Sequence, residues 1–291
     1  MRLTFTYILK PNKGQDKILK ELMWHSSKVY NMLNYEVRNG KEGINVNGLL
    51  NVEGSKIYKK YRKENWHSKY LHSHMLQQII LNYIGDYKSY IAIKEMYEKG
   101  NKEIKGKPRM PRYKKEEKVL ITFTKYAIRR EGRILKLSIS KNMQEKFQVK
   151  SLNFLIPKKL EKLVNLESIK MIKIGKEKNG KYKLEIIYER EEKQKAEGSN
   201  IMAIDLGMNN LATCTNMKNN KSLIIAGESI KAKIGYINKE IARLQEIQMK
   251  RVGSKKYRNT KRINKLYGQR SNYSKTYMHK ASRMVIDYAI Q

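Results

Sequence analysis

The chain begins with a regular alternation of apolar and polar residues. Over residues 2–8, Leu3, Phe5 and Tyr7 fall on one face and polar side chains on the other. A period of two is typical of a strand with one buried face. The Pro-Asn-Lys-Gly sequence at residues 11–14 then favours a turn. We therefore predict that the chain opens with a single half-buried β-strand.

The period becomes helical after this turn. Apolar residues recur every three or four positions, and Asn39-Gly40 favours the end of the first helix. A second helical stretch is predicted over residues 69–99, with a shorter helix near residues 52–64 between them. These segments predict a helical subdomain over residues 11–99.

A period of two returns in the segment that follows. Asn179-Gly180 is a strong hairpin signal because both turn positions need a positive φ. We predict an antiparallel region that closes with the first strand into a small β-barrel, so that the helical subdomain is an insertion in the barrel. The strand candidates are residues 119–123, 135–139, 169–174 and 182–188.

Two charged segments separate the predicted parts of the chain. Residues 100–118 form a basic linker, and residues 189–199 form a charged linker that ends in Gly-Ser. Beyond it, the pattern predicts a buried strand over residues 201–206, two further short strands, a basic helical pair broken at Gly253, and a last helix. The short strands are residues 211–215 and 223–226, the pair is residues 230–251 and 254–267, and the last helix starts near residue 274.

The charge of the chain favours a polyanionic partner. Lys and Arg number 63 against 27 Asp and Glu, a formal net charge of +36, and nucleic acid is the default partner at such a charge. The single cysteine, Cys214, excludes a disulfide framework and a cysteine-based zinc site within this chain. No apolar run has the length of a membrane span, and the first residues do not resemble a signal peptide. We expect no membrane partner and a cytoplasmic, nucleoid-associated location in a prokaryote.

Asp205 is the candidate for chemistry. It ends an apolar strand, and Gly207 allows a tight turn into the next strand. A carboxylate among apolar residues is costly unless it is paired or bound to a metal, and Mg²⁺ prefers hard oxygen ligands. The alternative is an Asp that caps a turn after a strand.

The sequence IDLGMNNLAT around Asp205 resembles the first RuvC motif of the TnpB proteins, also called OrfB of insertion sequences, which are related to type V CRISPR effectors. The resemblance extends over the whole chain. It includes the segments KGQDKILKELMWHSSKVYNMLNY, SHMLQQIILNYIGDYKSY, KGKPRMPRYKK and HKASRMVIDYAI.

The resemblance implies an α+β multidomain fold. A small antiparallel β-barrel, the wedge domain, carries an inserted helical recognition domain. An incomplete RNase H-like (RuvC) α/β domain with a basic helical insertion follows. The implied boundaries are residues 1–10 and 100–192 for the wedge, 11–99 for the recognition domain, 193–199 for a linker, and 200–291 for the partial RuvC domain with its basic pair at 230–270.

The resemblance also implies a reaction and its partners. In the family, a guide RNA from the transposon end pairs with double-stranded target DNA, and the RuvC site cuts the DNA with Mg²⁺. The second and third RuvC carboxylates and the zinc ribbon are absent from this sequence, so we expect a C-terminally truncated protein that does not cut DNA alone. Two alternatives stay open: a nuclease-dead, RNA-guided DNA-binding regulator, and a non-functional decayed transposase fragment. A missing C-terminal portion or self-association would complete the site.

The candidate binding residues come from the resemblance and from residue chemistry. Ser73, Gln77 and Gln78 are candidates for reading the transposon-adjacent DNA motif, since Gln can hydrogen-bond adenine edges, and the alternative is a solvent-facing polar surface. Basic residues are candidates for backbone contacts. These are Lys107, Arg109, Arg112, Lys255, Lys256, Arg258, Lys261, Arg262, His279 and Arg283.

Three histidines, His67, His72 and His74, form an apparent cluster. A His-x-His pair does not share a helix face, and no cysteine ligand is near in the sequence. We therefore predict surface or RNA contacts for them and no metal site.

Overall fold

The chain forms two compact units, Met1–Glu192 and Lys193–Gln291. A computed structural model describes residues 1–40, 56–101, 103–158, 168–177, 180–191, 201–217, 221–253 and 259–290. Each unit has its own core and is described by itself.

The first unit opens with strand β1 (Arg2–Leu9) and helix α1 (Lys13–Arg38), as the pattern predicts. A capping box starts the helix. The Asn12 side chain accepts from the Gln15 backbone N–H at 2.8 Å, and the Gln15 side chain accepts from the Asn12 backbone N–H at 2.8 Å. Such a cap stabilises a helix by about 1 kcal/mol.

Three further helices follow: α2 (Lys56–Glu64), α3 (Trp66–Lys69) and α4 (Ser73–Glu98). The predicted helix at residues 52–64 corresponds to α2, and its first four positions lie outside the described residues. The long helix begins at Ser73 rather than at residue 69. Asn65 instead caps a separate short helix, where its side chain accepts from the Ser68 backbone N–H at 3.2 Å.

The strands of this unit form two antiparallel sheets. The elements after α4 are β2 (Ile121–Thr124), β3 (Ile128–Glu131), β4 (Ile134–Ser138), α5 (Lys141–Phe147), β5 (Ser151–Leu155), β6 (Ile169–Lys176) and β7 (Tyr182–Glu189). The first sheet has the strand order β1-β7-β6-β2 and the second has the order β3-β4-β5.

Strand β1 pairs with β7, about 180 residues away, with Leu3 opposite Tyr188 and Phe5 opposite Ile186. The chain therefore inserts α1 to α4 between two strands of the same sheet. Residues of both sheets, α1 and α4 form one continuous apolar cluster, which includes Leu22, Leu76, Phe123, Leu135 and Ile186. This arrangement agrees with the coarse α+β prediction, while the wedge and recognition assignments stay predictions.

The prediction of one closed barrel differs from the structure. Within the described residues, no ladder joins the two sheets. A 3-10 turn at Lys125–Ala127 separates β2 from β3, so β3 starts a new sheet instead of pairing with β2. The side chain of Gln15 donates to the Asn153 carbonyl, so a side-chain hydrogen bond rather than a strand ladder joins the start of α1 to β5. At the predicted hairpin, Gly180 has φ +83°, and Asn179 lies outside the described residues.

The second unit contains strands β8 (Met202–Asp205), β9 (Asn210–Asn216) and β10 (Ser222–Ala226) in the order β10-β9-β8. All pairs are antiparallel. Helices α6 (Glu228–Val252) and α7 (Lys261–Ile290) follow. One face of the sheet packs on α7, where Ala212, Cys214 and Ile225 surround Ala281.

Two predictions for this unit are wrong. The strand predicted as buried is largely exposed: Ile204 lies opposite the buried Cys214, yet it is 47% exposed. The reason is that β8 is an edge strand with a ladder partner, β9, on one side only in the part of the chain that the structure describes. The basic helix and the last helix are one 30-residue helix, α7. Gly268 alone does not break it, because a helical Gly costs only about 1 kcal/mol.

The predicted break at Gly253 is confirmed, since this residue ends α6 with φ +62°.

None of the described helices combines the length and the apolarity that crossing a lipid bilayer requires.

Candidate nucleic-acid interface

Residues 104–115, here called the basic strap, are fastened to α1. Asn34 Nδ2 donates to the Pro111 carbonyl at 2.8 Å. Asn31 makes a two-way contact with Lys114: its Nδ2 donates to the Lys114 carbonyl at 3.0 Å, and its Oδ1 accepts from the Lys114 N–H at 2.7 Å. The predicted linker is therefore fixed to the helix. At Pro111 and Lys114 its backbone polar groups bond to side chains of α1 and not to a neighbouring strand.

A third α1 residue completes the clamp. The Arg38 guanidinium donates to the Pro111 carbonyl at 2.7 Å and to Asn34 Oδ1 at 3.2 Å. Asn34 is fully buried, so its hydrogen bonds stand in place of water. Sequence reasoning missed these residues. Their signal in the sequence is the spacing of three and four residues between Asn31, Asn34 and Arg38, which places the three polar side chains on one face of the helix.

The clamp leaves the basic side chains of the strap in solvent. Lys107, Arg109 and Arg112 are all exposed. Tyr113 is half-exposed and lies under the Arg38 guanidinium, whose carbon is 5.3 Å from the ring centroid. The structure thus brings three of the predicted backbone-contacting residues together on one fixed segment.

The end of the strap is also tied to α4. Lys114 Nζ lies 2.6 Å from Asp86 Oδ2 and 4.0 Å from the centre of the Tyr30 ring. The Tyr30 hydroxyl donates to the same carboxylate oxygen at 2.6 Å. Burial and the neighbouring Asp86 carboxylate both raise the pKa of Tyr30, so its hydroxyl remains a hydrogen-bond donor.

A cavity of about 220 Å³ adjoins this network. Lysines from three segments line it, namely Lys114, Lys118 and Lys173, together with Asn82 and Asp86 of α4. Three ammonium groups beside one carboxylate give the cavity a positive character, which suits a phosphate group.

The three residues predicted to read DNA lie in the first turns of α4, where all are half-buried. Gln77 Oε1 is 3.3 Å from His74 Nδ1, so Gln77 is oriented by a neighbouring imidazole. Gln78 lies one turn before Asn82 and is on the same face of α4. That face lines the cavity formed with Lys114, Lys118 and Lys173, here called the lysine cavity. Ser73 is the first residue of the helix.

We expect the clamp to fail when Asn34 is replaced. In Asn34→Ala the Pro111 carbonyl loses its buried donor, which should lower the free energy of strap opening by about 1–2 kcal/mol. Trypsin should then cut after Arg109 and Arg112 about 5–30 times faster. Limited proteolysis with mass spectrometry measures this rate. Asn39→Ala, at an exposed helix end, is the matched control, and equal cleavage of the two variants would contradict the clamp.

Asp205 lies at the end of β8, opposite Thr213. Thr213 also pairs with Ile224, so these three residues share the sheet face that points away from α7. The Asp205 carboxylate is exposed. The strand-end position fits the alternative of a turn-capping Asp as well as it fits a metal ligand.

The loop after Asp205 is closely packed against the start of α6. A Cβ on Gly227 would lie 2.5 Å from the Met208 carbonyl, so only glycine fits there. Lys231 Nζ donates to Asn209 Oδ1 at 3.1 Å. Sequence reasoning missed Gly227 and Lys231, which fix this loop.

The described carboxylates do not assemble a magnesium site. Three of the four acids that follow Asp205 in the sequence form ion pairs along their own helices: Glu240 with Arg243 at 3.1 Å, Glu246 with Lys250 at 2.9 Å, and Asp287 with Arg283 at 2.7 Å. The fourth, Glu228, is exposed. Among the described residues, no group of three or more His, Cys, Asp or Glu could hold a metal ion. Asp205 alone does not fit the ligand set that Mg²⁺ needs.

The remaining predicted backbone contacts lie on α7 or outside the described residues. Lys261 and Arg262 are exposed at the start of α7, which packs on α6 through Ile263. His279 and Arg283 are also exposed, and the ion pair with Asp287 partly neutralises Arg283. Lys255, Lys256 and Arg258 lie outside the part of the chain that the structure describes.

Residues 185–291 match the family model OrfB_IS605, described as a probable transposase. Over these residues, which are just over a third of the chain, the resemblance to the TnpB (OrfB) proteins stated from the sequence is confirmed. No curated protein matches the chain.

Two solved structures are similar to this chain at 14% identity. One is titled a Cas12f1-sgRNA-target DNA complex, with a TM-score of 0.41, covering 100% of this chain and 70% of that one. The other is titled a CRISPR-Cas12f ternary complex, with a TM-score of 0.38, covering 94% of this chain and 60% of that one.

Proposed function

We propose that this OrfB-like chain binds a guide RNA and double-stranded DNA. The observation that carries the proposal is the basic strap, which a buried clamp holds against α1 while Lys107, Arg109 and Arg112 stay in solvent. Because the backbone of the strap is already fixed, its cations lose only side-chain freedom when they meet a phosphate backbone. Contacts of this kind provide affinity without sequence preference.

The size of the charge suits a large polyanion. An RNA–DNA heteroduplex of about 20 base pairs, held through its backbone, carries roughly 40 phosphates. The net charge of +36 is of the same order. The lysine cavity beside Asp86 would take one phosphate of such a ligand, and the exposed cations of α7 would contact others.

The sequence-reading role falls to the start of α4. Gln77, oriented by His74, and Gln78, one turn from the cavity, are the proposed contacts to base edges. Loss of either amide should relax DNA preference while RNA affinity stays unchanged.

We further propose that the second unit is the RNase H-like (RuvC) part of the family fold and that it does not cut DNA by itself. Three of the acids that could join Asp205 are held in ion pairs by Arg243, Lys250 and Arg283. One exposed carboxylate does not position two Mg²⁺ ions for phosphodiester cleavage. The chain would then act as an RNA-guided DNA-binding protein, which completes a nuclease only with another chain or another copy.

Sequencing the RNA that co-purifies with the chain from its native locus tests the binding proposal. One discrete transcript with a common structured part and a fixed end is expected. A heterogeneous mixture that moderate salt removes would overturn the proposal, because only unspecific phosphate attraction would then survive. Such a mixture would favour the alternative that the chain is a non-functional, decayed transposase fragment.

The cleavage proposal makes a separate prediction for Asp205→Ala. With Mg²⁺ and the co-purified RNA, the wild-type chain and the variant should both give no guide-dependent DNA product on a denaturing gel. Because Asp205 is exposed, the substitution should change the free energy of unfolding by less than about 0.5 kcal/mol. A specific product that disappears in the variant would sink the proposal of an inactive chain.

A further inference from the structure

Three rings from two separate segments of the first unit stack in a column. The His72 and His74 rings lie 5.5 Å apart with an interplanar angle of 23°. The His74 and Tyr126 rings lie 5.3 Å apart at 20°. His72 and His74 belong to the start of α4, whereas Tyr126 belongs to the turn between β2 and β3. The hydrogen-bond contact between His74 and Gln77 fixes the middle ring.

Tyr126 ends this column as an exposed ring on a fixed turn. Its neighbour Ala127 and the nearby Phe123 are buried in the core, yet Tyr126 is 71% exposed. Lys125 Nζ lies 5.0 Å from the centre of the Tyr126 ring. Core packing therefore explains why the turn is fixed in place. It does not explain why the turn exposes the large Tyr126 ring to solvent. A flat aromatic ring with an ammonium group beside it matches a nucleobase and its phosphate.

We propose that Tyr126 is a stacking platform for an unpaired nucleobase, with Lys125 on the adjoining phosphate. The inference rests on the proposed nucleic-acid binding and adds a site to it. In the interior of a duplex both faces of a base are covered by its neighbours, so the ring favours an unpaired base over a paired one. Stacking tolerates any base, because each has an aromatic face.

The test uses a short duplex with a single-stranded overhang that carries 2-aminopurine, made as DNA and as RNA, and a blunt duplex of equal charge. For the overhang, Tyr126→Leu should weaken binding about 5- to 150-fold, the range for loss of one stacked base. It should also abolish the fluorescence quenching that stacking causes. Tyr126→Phe retains a ring and should bind within about twofold of wild type. The blunt duplex should bind all variants equally.

Tyr236→Leu is the matched control. Tyr236 is 62% exposed and has Lys233 Nζ 5.7 Å from its ring centre, but no ring stacks on it among the described residues. Equal losses in Tyr126→Leu and Tyr236→Leu, or an equal loss for the blunt duplex, would overturn the platform. If wild type binds the blunt duplex and Tyr126→Leu leaves overhang binding unchanged, only this inference fails. If wild type binds none of the three, the proposed function fails with it. A loss restricted to the DNA or the RNA overhang supports the platform and identifies the strand.

Discussion

Between 50 and 200 mM salt, the affinity of the chain for duplex nucleic acid is expected to fall about a thousandfold or more. That is the loss for a protein that neutralises six to ten phosphates, since each contact releases condensed counterions. The net charge of +36 and the exposed cations of the strap make contact numbers of this size attainable. Fluorescence anisotropy at four salt concentrations gives the slope of log affinity against log salt, which counts the contacts.

The strap should account for a measurable part of that slope. Replacing Lys107, Arg109 and Arg112 together by Gln should reduce it by up to about 3 if each cation contacts one phosphate. The matched control replaces three lysines that already pair with carboxylates on their own helices. These are Lys20 with Asp16, Lys94 with Glu98 and Lys250 with Glu246.

Both triple variants lose the same net charge. A slope that falls only in the strap variant places the phosphate contacts on the strap. Equal slopes in the two variants would show that the total charge, and not the clamped segment, governs binding, and the strap would lose its role as an interface.

The local features of the sequence predicted the elements that depend on local physics. The alternation around Phe5 and the helical stripe of α1 are properties of short windows, and both elements occur where they were expected. Strand β5 and the seven-residue helix α5 are too short to show a period, and Gln148 ends that helix with a rare φ of 53°. The burial predicted for the apolar run that ends at Asp205 is wrong for another reason. The burial of a strand depends on which strands lie beside it, and the run itself does not specify them.

The candidate interface depended more on tertiary contacts. Lys107, Arg109 and Arg112 were recognisable from charge, but the clamp joins Asn34 to Pro111, 77 residues along the chain. The ring column likewise joins His74 to a tyrosine in another element. Periodicity carries no information on such pairs, because it reports which face a residue occupies and not what that face meets.

A buried histidine pair gives the first unit a stability that depends on pH. His25 of α1 is fully buried, and its Nδ1 lies 3.1 Å from Nδ1 of His67. The Tyr70 ring stacks on His25 at 4.5 Å and 7°. Burial, then the charge that His67 can carry, lowers the pKa of His25 to about 4, although Glu21 opposes this. Burial and Lys28 also lower the pKa of His67.

The direction of the effect follows from proton counting. In the unfolded chain His25 takes up a proton near pH 6.5, its ordinary value, whereas in the folded chain it stays neutral until about pH 4. Between these values the unfolded state binds more protons, so the free energy of unfolding falls as the pH falls. At about 1.4 kcal/mol for each pKa unit, the loss from pH 7 to pH 4 is on the order of 3 kcal/mol, and His67 adds to it with the same sign.

The two tryptophans of the chain report on this site directly, because the Trp24 and Trp66 rings lie 4.7 and 5.3 Å from the His25 ring. We therefore expect the free energy of unfolding, measured by urea titration with tryptophan fluorescence, to fall steeply between pH 7 and pH 4.5 in wild type. In His25→Gln it should fall much less. His25→Phe, which keeps a ring against Tyr70, serves if the glutamine variant does not fold. His279→Gln, at an exposed position, should follow wild type. A parallel loss in wild type and in both His25 variants would mean that general charge repulsion in a chain of net charge +36, and not the buried pair, destabilises the fold in acid.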